Sequence, residues 1–476
     1  MPLPRSVRHW ISFGVPVFFL GLIIALGTRH GRPAKSQIID TKQTATYQEI
    51  KSYMDRVRAI DTHDHLQPFS NIPHRVKTPE GEGMTLYSLW AGSYYVWNHP
   101  LTPWPDSGIF SEWWAEAKDD FEDARATSFY RYVLPAFSDL YDVDFDTITE
   151  TQAEKLNGEI FANYQNDTWL HKVIMEKANI ELMFIDPYWA RLQFAEDYPF
   201  AVPLLNVTTL MRGSHPSQFE IADNNPYRFA QKRGMKADTL EEFLMVIDAV
   251  FADAKASGAV CLKSTQAYER TLHYQRVSRE RAEMVFGKPK DVITLSEQQE
   301  FEDFMFWEVC RLSAKHDLPF QVHTGQARIQ GSNPMLLVDA IAANPETKFI
   351  LFHGGYPWIG ETAVIAMRHP NVWIDSVWLP TLSYSTAKRA YHEWLEVMPS
   401  DRIMWGADTV QAEGIYGATE FTRRAIAEVL AEKVDRGDLQ KDHALRIGKQ
   451  ILRDNALKLF PSLKARLRRD ALAPLS

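Results

Sequence analysis

The chain has 476 residues, of which 45% are hydrophobic and 24% charged, an ordinary globular balance with room for one large α/β domain carrying an insertion or for two smaller domains. Its formal net charge of -9 excludes the basic surface on which nucleic-acid binding depends. Two cysteines, Cys261 and Cys310, both in apolar stretches, exclude a disulfide framework and a cysteine-rich zinc site.

The first 40 residues differ in composition from the rest. Residues 10–27 form an uncharged run, WISFGVPVFFLGLIIALG, with basic residues on both sides. Roughly 18 apolar residues is the lower limit for spanning a bilayer core, and the run exceeds the usual apolar region of a cleavable signal peptide. We therefore predict an uncleaved membrane anchor in residues 1–40, with residues 41–476 outside the cytoplasm. A cleaved export signal is the alternative.

From about Tyr47, short apolar runs alternate with longer helical patterns, which is typical of repeated βα units. Eight runs are predicted as strands: 57–60 leading into Asp61-Thr62-His63, 181–186, 200–206, 259–263, 319–323, 348–353, 372–376 and 402–408. Helices are predicted between the later strands and after them, over 239–257, 296–316, 334–343, 358–368, 386–396 and about 420–459.

Eight near-continuous apolar strands, each followed by a helix, predict an α/β fold of the (β/α)8 TIM-barrel type. The alternative is an open doubly wound sheet. Such a sheet would need a Gly-rich phosphate-type turn after the first strand, and the sequence has none there.

Residues 66–180 interrupt the regular alternation, between the first and second strands. This stretch is rich in Trp, Tyr and Phe and has helical patterns over 110–125 and 151–177. An insertion at this point emerges on the face where barrel active sites form. We predict a helical, aromatic-rich insertion that acts either as a lid over the site or as a packing or oligomer surface.

Five potential metal ligands lie at the ends of four predicted strands. His63 and His65 close the first strand two residues apart, so their imidazoles point to the same side. His323 ends the fifth strand, His353 the sixth and Asp408 the eighth. Because a parallel barrel brings these strand ends together, the sequence predicts a metal site.

Three imidazoles and one carboxylate suit Zn²⁺ best, with Mn²⁺, Fe²⁺ or Co²⁺ as substitutes. An open ligand position would hold a water whose pKa the metal lowers towards neutrality. Asp408 is the candidate base for that water. His353 is predicted as a further ligand or as a catalytic group that polarises the substrate carbonyl or orients the nucleophile.

Lys263 ends the fourth strand, where an ammonium aimed into a cationic site is electrostatically unfavourable. Carboxylation of the amine would remove this penalty and create an anionic ligand that bridges two metal ions. We therefore predict one or two ions, with Lys263 as the bridge; an ordinary ion pair is the alternative. Two substrate-binding residues are also predicted: Arg270, unless it pairs with Glu269, and Tyr356.

Taken together, this pattern resembles that of the amidohydrolase superfamily, from about residue 55 to 460. The segments FILFHGGYPW (349–358), RIMWGADT (402–409) and ILRDNALKLF (451–460) are similar to the amidohydrolase-related (type 2) branch. The resemblance implies a distorted (β/α)8 barrel and a mono- or dinuclear metal centre that activates water.

Two further resemblances concern single segments. Residues 262–264 (LKS) and 267–270 (AYER) are similar to the lysine-bearing segment of the amidohydrolase-like domain fused to glutamine-synthetase-like proteins. Residues 126–131 and 147–149 of the insertion resemble uronate isomerases. The arginine-rich carboxylate-binding pattern that those isomerases carry after the first strand is missing here, and Lys263 has no counterpart in their mononuclear site.

The predicted function is metal-dependent hydrolysis of a C–N or C–O bond, in an amide, ester or lactone, of a small substrate. One alternative is a metal-dependent decarboxylase or uronate-isomerase-like enzyme on the same barrel. Another is a membrane-tethered binding protein without catalysis, which the complete ligand set argues against. The predicted partners are the small-molecule substrate and the membrane, with a homo-oligomer as an option and no nucleic acid.

Overall fold

The computed structural model describes residues 40–194 and 197–470. The predicted anchor at residues 10–27 lies outside them. Among the described residues, no helix combines the length and the apolar character needed to cross a membrane.

Eight parallel strands form the centre of the fold. They are β1 (Ala59–Asp64), β2 (Ile180–Ile185), β3 in two segments (Ala201–Pro203 and Leu205–Asn206), β4 (Leu262–Ser264), β5 (Phe320–Val322), β6 (Phe349–Leu351), β7 (Val372–Asp375) and β8 (Ile403–Met404). Each strand pairs with the next one along the chain. All eight predicted strands are present, most of them shorter than their apolar runs.

Backbone hydrogen bonds join the first strand to the segment that follows the last one. The Asp408 N–H donates to the His63 carbonyl at 3.0 Å, and the His65 N–H donates to the Thr409 carbonyl at 2.9 Å. The two segments of β3 are separated only by Leu204. These hydrogen bonds place the segment after the last strand beside the first strand, and the predicted (β/α)8 fold is confirmed.

Two buried carboxylates reinforce this seam. Asp61 of β1 accepts the Ala407 N–H at 3.1 Å, and Asp64 accepts the Thr409 N–H at 2.8 Å. A Cβ on Gly406 would lie 2.9 Å from the Asp61 carboxylate. Glycine at this position therefore allows the strand end to approach β1 closely.

One barrel helix precedes the first strand and the others follow the strands, with all the predicted helical runs among them. They are Ala45–Asp55, Thr208–Arg212, Pro226–Lys232, Leu240–Ala256, Arg279–Val285, Leu295–His316, Val338–Ala343, Ile359–Arg368, Leu379–Leu382, Tyr384–Val397, Ala412–Asp435, Lys441–Lys449, Asn455–Leu459 and Ser462–Asp470. The single run predicted over 420–459 is divided, because Gly437 turns the chain with a φ of +82°.

Local sequence explains where two of the three longest barrel helices begin. Thr239 accepts the Glu242 N–H, and the Glu242 carboxylate accepts the Thr239 N–H in return. Thr294 and Glu297 form the same reciprocal pair before Leu295–His316. Each capping box satisfies two N–H groups that the helix itself leaves unpaired.

The insertion after β1 is helical and shares the core of the barrel. Its helices are Leu86–Ala91, Phe110–Ala117, Ser128–Arg131, Leu134–Tyr141, Glu150–Asn163 and Thr168–His171, and a short hairpin pairs Val76–Thr78 with Gly81–Gly83. Trp90 is fully buried, stacked on Tyr130 at 5.4 Å and 4.7 Å from Phe121. Like Trp90, most aromatic side chains of the insertion are buried and pack in the core.

A buried carboxylate ties the insertion to the helix after β8. Glu413, in the first turn of Ala412–Asp435, accepts hydrogen bonds from Tyr141 at 2.6 Å, Tyr164 at 2.5 Å and Trp169 at 2.8 Å. All three donors belong to the insertion. These hydrogen bonds hold the insertion against the start of the helix that follows β8.

Candidate metal centre

The imidazole of His63 lies at the end of β1, completely buried. Neither of its ring nitrogens has a hydrogen-bond partner. Leaving a buried polar group unsatisfied costs about 1–3 kcal/mol. A metal ion accepted by the ring would remove this cost, so the side chain fits a ligand role.

His65 and Asp408 face each other beside His63. The Nε2 atom of His65 lies 3.2 Å from Asp408 Oδ1, and Nε2 of His63 lies 3.8 Å from the same oxygen. Nδ1 of His65 is directed at the Asp186 carbonyl at 3.4 Å. Since a carbonyl only accepts, Nδ1 is the donor to it, so a hydrogen bond between Nε2 and the carboxylate needs a second proton on the ring.

A positive charge is needed between these groups. Burial by itself would lower the pKa of His65, but the hydrogen bond and the charge of Asp408 raise it. Burial would raise the pKa of Asp408, yet His65 and the neighbouring imidazoles hold it well below its usual range. A proton on His65 meets this demand in the free protein, and a metal ion displaces such protons when it binds.

His323 and His353 form a second pair, in which Nδ1 of His323 lies 2.9 Å from Nε2 of His353. The outer nitrogens donate to carbonyls: His323 Nε2 to Gln326 at 2.9 Å and His353 Nδ1 to Val377 at 3.0 Å. The two nitrogens that face each other therefore both carry lone pairs.

Burial lowers the pKa of both rings, that of His353 to about 4 and that of His323 well below its usual value. At neutral pH each ring is therefore neutral, and its single proton is the one that it donates to the carbonyl. Two facing lone pairs repel each other unless a cation lies close to both. This pair fits a metal ion as well as the first group does.

Lys263 lies buried among the imidazoles. Its Nζ is 3.6 Å from the centroid of the Phe352 ring, and its charge acts to lower the pKa of all four site histidines. Burial, opposed by the charges of Asp408, Asp186 and Asp375, lowers the pKa of the lysine itself to about 8. The structure thus brings all six predicted ligands to one end of the barrel.

Asp186 is a site residue that the sequence prediction missed. Ligand atoms of Asp186, His63 and His65 all lie within 4.8 Å of one another. The carboxylate also accepts two hydrogen bonds from the Asn206 amide, at 2.9 and 3.1 Å. Asp186 directly follows β2 and is the last residue of the predicted strand 181–186. Asp408 was selected because it ends a predicted strand, and the same reasoning applies to Asp186.

Three residues after the barrel strands have left-handed backbone conformations: His353 (φ 59°), Trp378 (φ 63°) and Asp408 (φ 57°). Each such conformation costs a non-glycine residue about 1–3 kcal/mol, and such residues concentrate at functional sites. These turns also explain why β6 and β8 end before the histidine and the aspartate that the apolar runs include.

A cavity of about 430 Å³ opens above this cluster. Among the predicted ligands, it is lined by His63, His65, Lys263, His323 and Asp408. His353 is fully buried and is not part of the lining, which favours a ligand role over contact with substrate. The insertion contributes the wall around Tyr94 and Trp97, so one part of it does cover the site. His74 of the insertion also lines the cavity.

The two predicted substrate-binding residues lie elsewhere. Arg270 is buried outside the cavity lining and pairs with Glu302 at 3.3 Å and with Asp303, and not with Glu269. Tyr356 is half-buried against the hydrophobic core, outside the cavity lining. Both residues were predicted to bind substrate because each follows a strand end in the sequence. In the structure, the loops direct both side chains away from the cavity and into the protein.

Residues 292–462 match the family model described as amidohydrolase. This part of the chain includes His323, His353 and Asp408. Protein fluG from Emericella nidulans is 32% identical over 148 residues, which correspond to 30% of this chain and 17% of that protein. The match therefore spans less than a fifth of the length of this relative.

Solved structures share the fold over most of both chains. Glucuronate isomerase from Caulobacter crescentus has a TM-score of 0.68 at 15% identity, covering 89% of this chain and 95% of its own. Uronate isomerase from Thermotoga maritima has a TM-score of 0.67 at 16% identity, covering 87% and 97%. A candidate metal-dependent hydrolase from Lactobacillus casei has a TM-score of 0.60 at 19% identity, covering 87% and 98%.

Proposed function

We propose that this chain, which carries the amidohydrolase pattern in its sequence, family match and fold, is a metal-dependent hydrolase. Its substrate is a small molecule, and the bond broken is the C–N or C–O bond of an amide, ester or lactone. The observation that carries the proposal is the convergence of four imidazoles and the Asp408 carboxylate at the base of an open cavity.

In this proposal His63, His65 and Asp408 hold one divalent ion, and His323 and His353 hold a second. Zn²⁺ suits this ligand set best, with Mn²⁺, Fe²⁺ or Co²⁺ as alternatives. Such an ion supplies Lewis acidity and lowers the pKa of water in the site.

Lys263 bridges the two ligand groups as a carbamate. Its neutral amine adds to CO₂, a C–N bond forms, and one proton is released. The product carries a negative charge, so the repulsion between the ammonium and two cations is replaced by attraction. The position of Lys263 among all four imidazoles supports this role.

Asp408 is the proposed proton carrier. Its low pKa keeps the carboxylate ionised and ready to accept a proton. The oxygen of a water molecule adds to the substrate carbonyl carbon as Asp408 takes the proton of that water. The C–N or C–O bond then breaks, and the departing nitrogen or oxygen receives the proton from Asp408.

The competing reactions on this scaffold are decarboxylation and aldose–ketose isomerisation. Hydrolysis alone places an oxygen atom from solvent in the product. Reaction of the Zn²⁺-loaded full chain with amides, esters and lactones in ¹⁸O-labelled water should give carboxylate products containing one ¹⁸O. Release of CO₂ or interconversion of uronates, without hydrolysis of any of these bonds, would contradict the proposal.

We also propose that residues 10–27 tether the enzyme to a membrane, with the barrel outside the cytoplasm. The uncharged run with basic flanks supports this arrangement. Protease added to intact cells should then digest the barrel. Protection of the barrel until the cells are lysed would contradict the proposed topology.

A further inference from the structure

The rim of the cavity concentrates the exposed aromatic side chains of the described residues. The sequence contains 26 Phe, 18 Tyr and 14 Trp. Among those described, only three keep more than 40% of their surface exposed: Trp97 (52%), Tyr188 (41%) and Tyr268 (41%). All three line the cavity above the metal centre. Aromatic surface left in water at a single place marks a binding site.

The three rings come from different segments: the insertion, the loop after β2 and the loop after β4. Tyr188 packs edge-on against His65 with ring centroids 5.3 Å apart. Tyr268 lies 4.4 Å from the ring of His323. A flat group held by these rings would therefore lie directly above both proposed ligand groups.

The charges around the cavity restrict what this group can be. Among the described lining residues there is no arginine, and Lys263 is the single lysine, at the base of the cavity. The rim thus offers no guanidinium or ammonium to a carboxylate at the far end of a substrate. Metal ions at the base disfavour a cationic substrate.

We propose that the substrate of this site is uncharged and carries an aromatic ring, which packs among Trp97, Tyr188 and Tyr268 while the scissile carbonyl faces the proposed ligands. This inference rests on the proposed hydrolysis and specifies its substrate class. It excludes the sugar acids that the structurally similar isomerases are named for.

Binding can be measured by saturation-transfer NMR on the Zn²⁺-loaded full chain, in spectra recorded before product accumulates. The probes are 2-phenylacetamide, acetamide and glucuronate. We expect 2-phenylacetamide to bind at least about ten times more tightly than acetamide, because burial of a phenyl ring is worth more than that factor, with saturation concentrated on its ring protons. Equal binding of the two amides, or tighter binding of glucuronate, would overturn the inference.

The variant Trp97→Ala should raise the Kd of 2-phenylacetamide roughly 2- to 12-fold, the effect of losing one aromatic pair. Trp97→Phe should restore most of the affinity. Met245→Ala is the matched control, since Met245 is 55% exposed on Leu240–Ala256 and lies outside the cavity lining. A Kd that Trp97→Ala leaves unchanged would also overturn the inference.

The two proposals fail in different ways. Binding of 2-phenylacetamide through its ring with no hydrolysis of any amide, ester or lactone would support the rim assignment and contradict the proposed function. Hydrolysis of acetamide and 2-phenylacetamide at equal kcat/KM would support the proposed function and contradict the rim assignment.

Discussion

The hydroxyl of Tyr94 donates a hydrogen bond of 2.5 Å to the backbone carbonyl of Asp408. Tyr94 belongs to the insertion and Asp408 follows β8, so this bond connects the part of the chain that covers the cavity with a proposed ligand. Asp408 also has a left-handed backbone conformation, which its surroundings must hold in place. The insertion therefore has a direct effect on the geometry of the metal centre.

Tyr94→Phe should lower kcat while leaving the fold intact. The variant keeps the ring contacts with Trp97 and Trp378 and loses only the hydroxyl. Loss of this hydrogen bond should destabilise the protein by about 1 kcal/mol, measured by urea unfolding. Tyr87→Phe is the control, because Tyr87 packs on Trp104 and Trp113 within the insertion. Equal kcat in Tyr94→Phe and the control would show that Asp408 does not need this support.

Asp408→Asn should abolish turnover in an otherwise folded protein. The amide is nearly the same size as the carboxylate but neither accepts the proton of water nor pairs with His65. We expect kcat to fall by at least about 100-fold, the usual contribution of a positioned proton acceptor. Steady-state kinetics and circular dichroism provide the measurements, with the exposed Asp339→Asn as control. A fully active Asp408→Asn enzyme would refute the role of Asp408.

Lys263→Met should reduce the metal content of the purified protein from two equivalents towards one. A methionine fills the buried space but forms no carbamate bridge between the two ligand groups. Elemental analysis gives the stoichiometry, and native mass spectrometry of the wild type should show the added mass of one CO₂. The same stoichiometry in both proteins would mean that Lys263 does not bridge.

Asp186→Asn should weaken metal binding about 10- to 100-fold, as loss of a ligand or of a group that orients one does. Chelator competition measures this affinity. Asn206→Ala provides the comparison, because it removes the partner of Asp186 and leaves the carboxylate in place. Its effect should be smaller. A metal affinity that Asp186→Asn leaves unchanged would exclude Asp186 from the centre.

Glu413→Leu should destabilise the protein by about 3 kcal/mol or more, since it leaves buried donors of Tyr141, Tyr164 and Trp169 without an acceptor. Glu413→Gln retains one acceptor oxygen and should cost less. Thermal unfolding of both variants, with and without Zn²⁺, separates this structural role from an effect on metal binding. Equal stability of the wild type and Glu413→Leu would contradict the role of Glu413 as an anchor.

The fold class and most of the proposed ligands follow from the sequence alone. Eight apolar runs alternate with helical patterns, and this periodicity was sufficient for the barrel, because a parallel strand buried on both faces needs a continuous apolar run. The proposed ligands at residues 63, 65, 263, 323, 353 and 408 follow from one rule, that parallel strands bring their carboxyl ends together. The same rule extends to Asp186.

Other features depend on contacts that no local pattern encodes. Arg270 and Tyr356 were placed near the site by their position in the chain, yet their partners lie on distant helices and in the core. The sequence also left open whether the aromatic insertion is a packing surface or covers the site. In the structure most of its rings are buried, and Trp97 stays exposed at the cavity rim.

The sequence by itself determined the barrel and which residue types stand at its strand ends, because both depend on spacing along the chain. Only the tertiary structure decided which carbonyls face the rings of His65, His323 and His353, since these contacts depend on how the loops after the strands fold. It also decided that Trp97, Tyr188 and Tyr268 meet above the metal centre. Side chains that are far apart in the sequence become neighbours only when the strands and loops of the barrel are assembled.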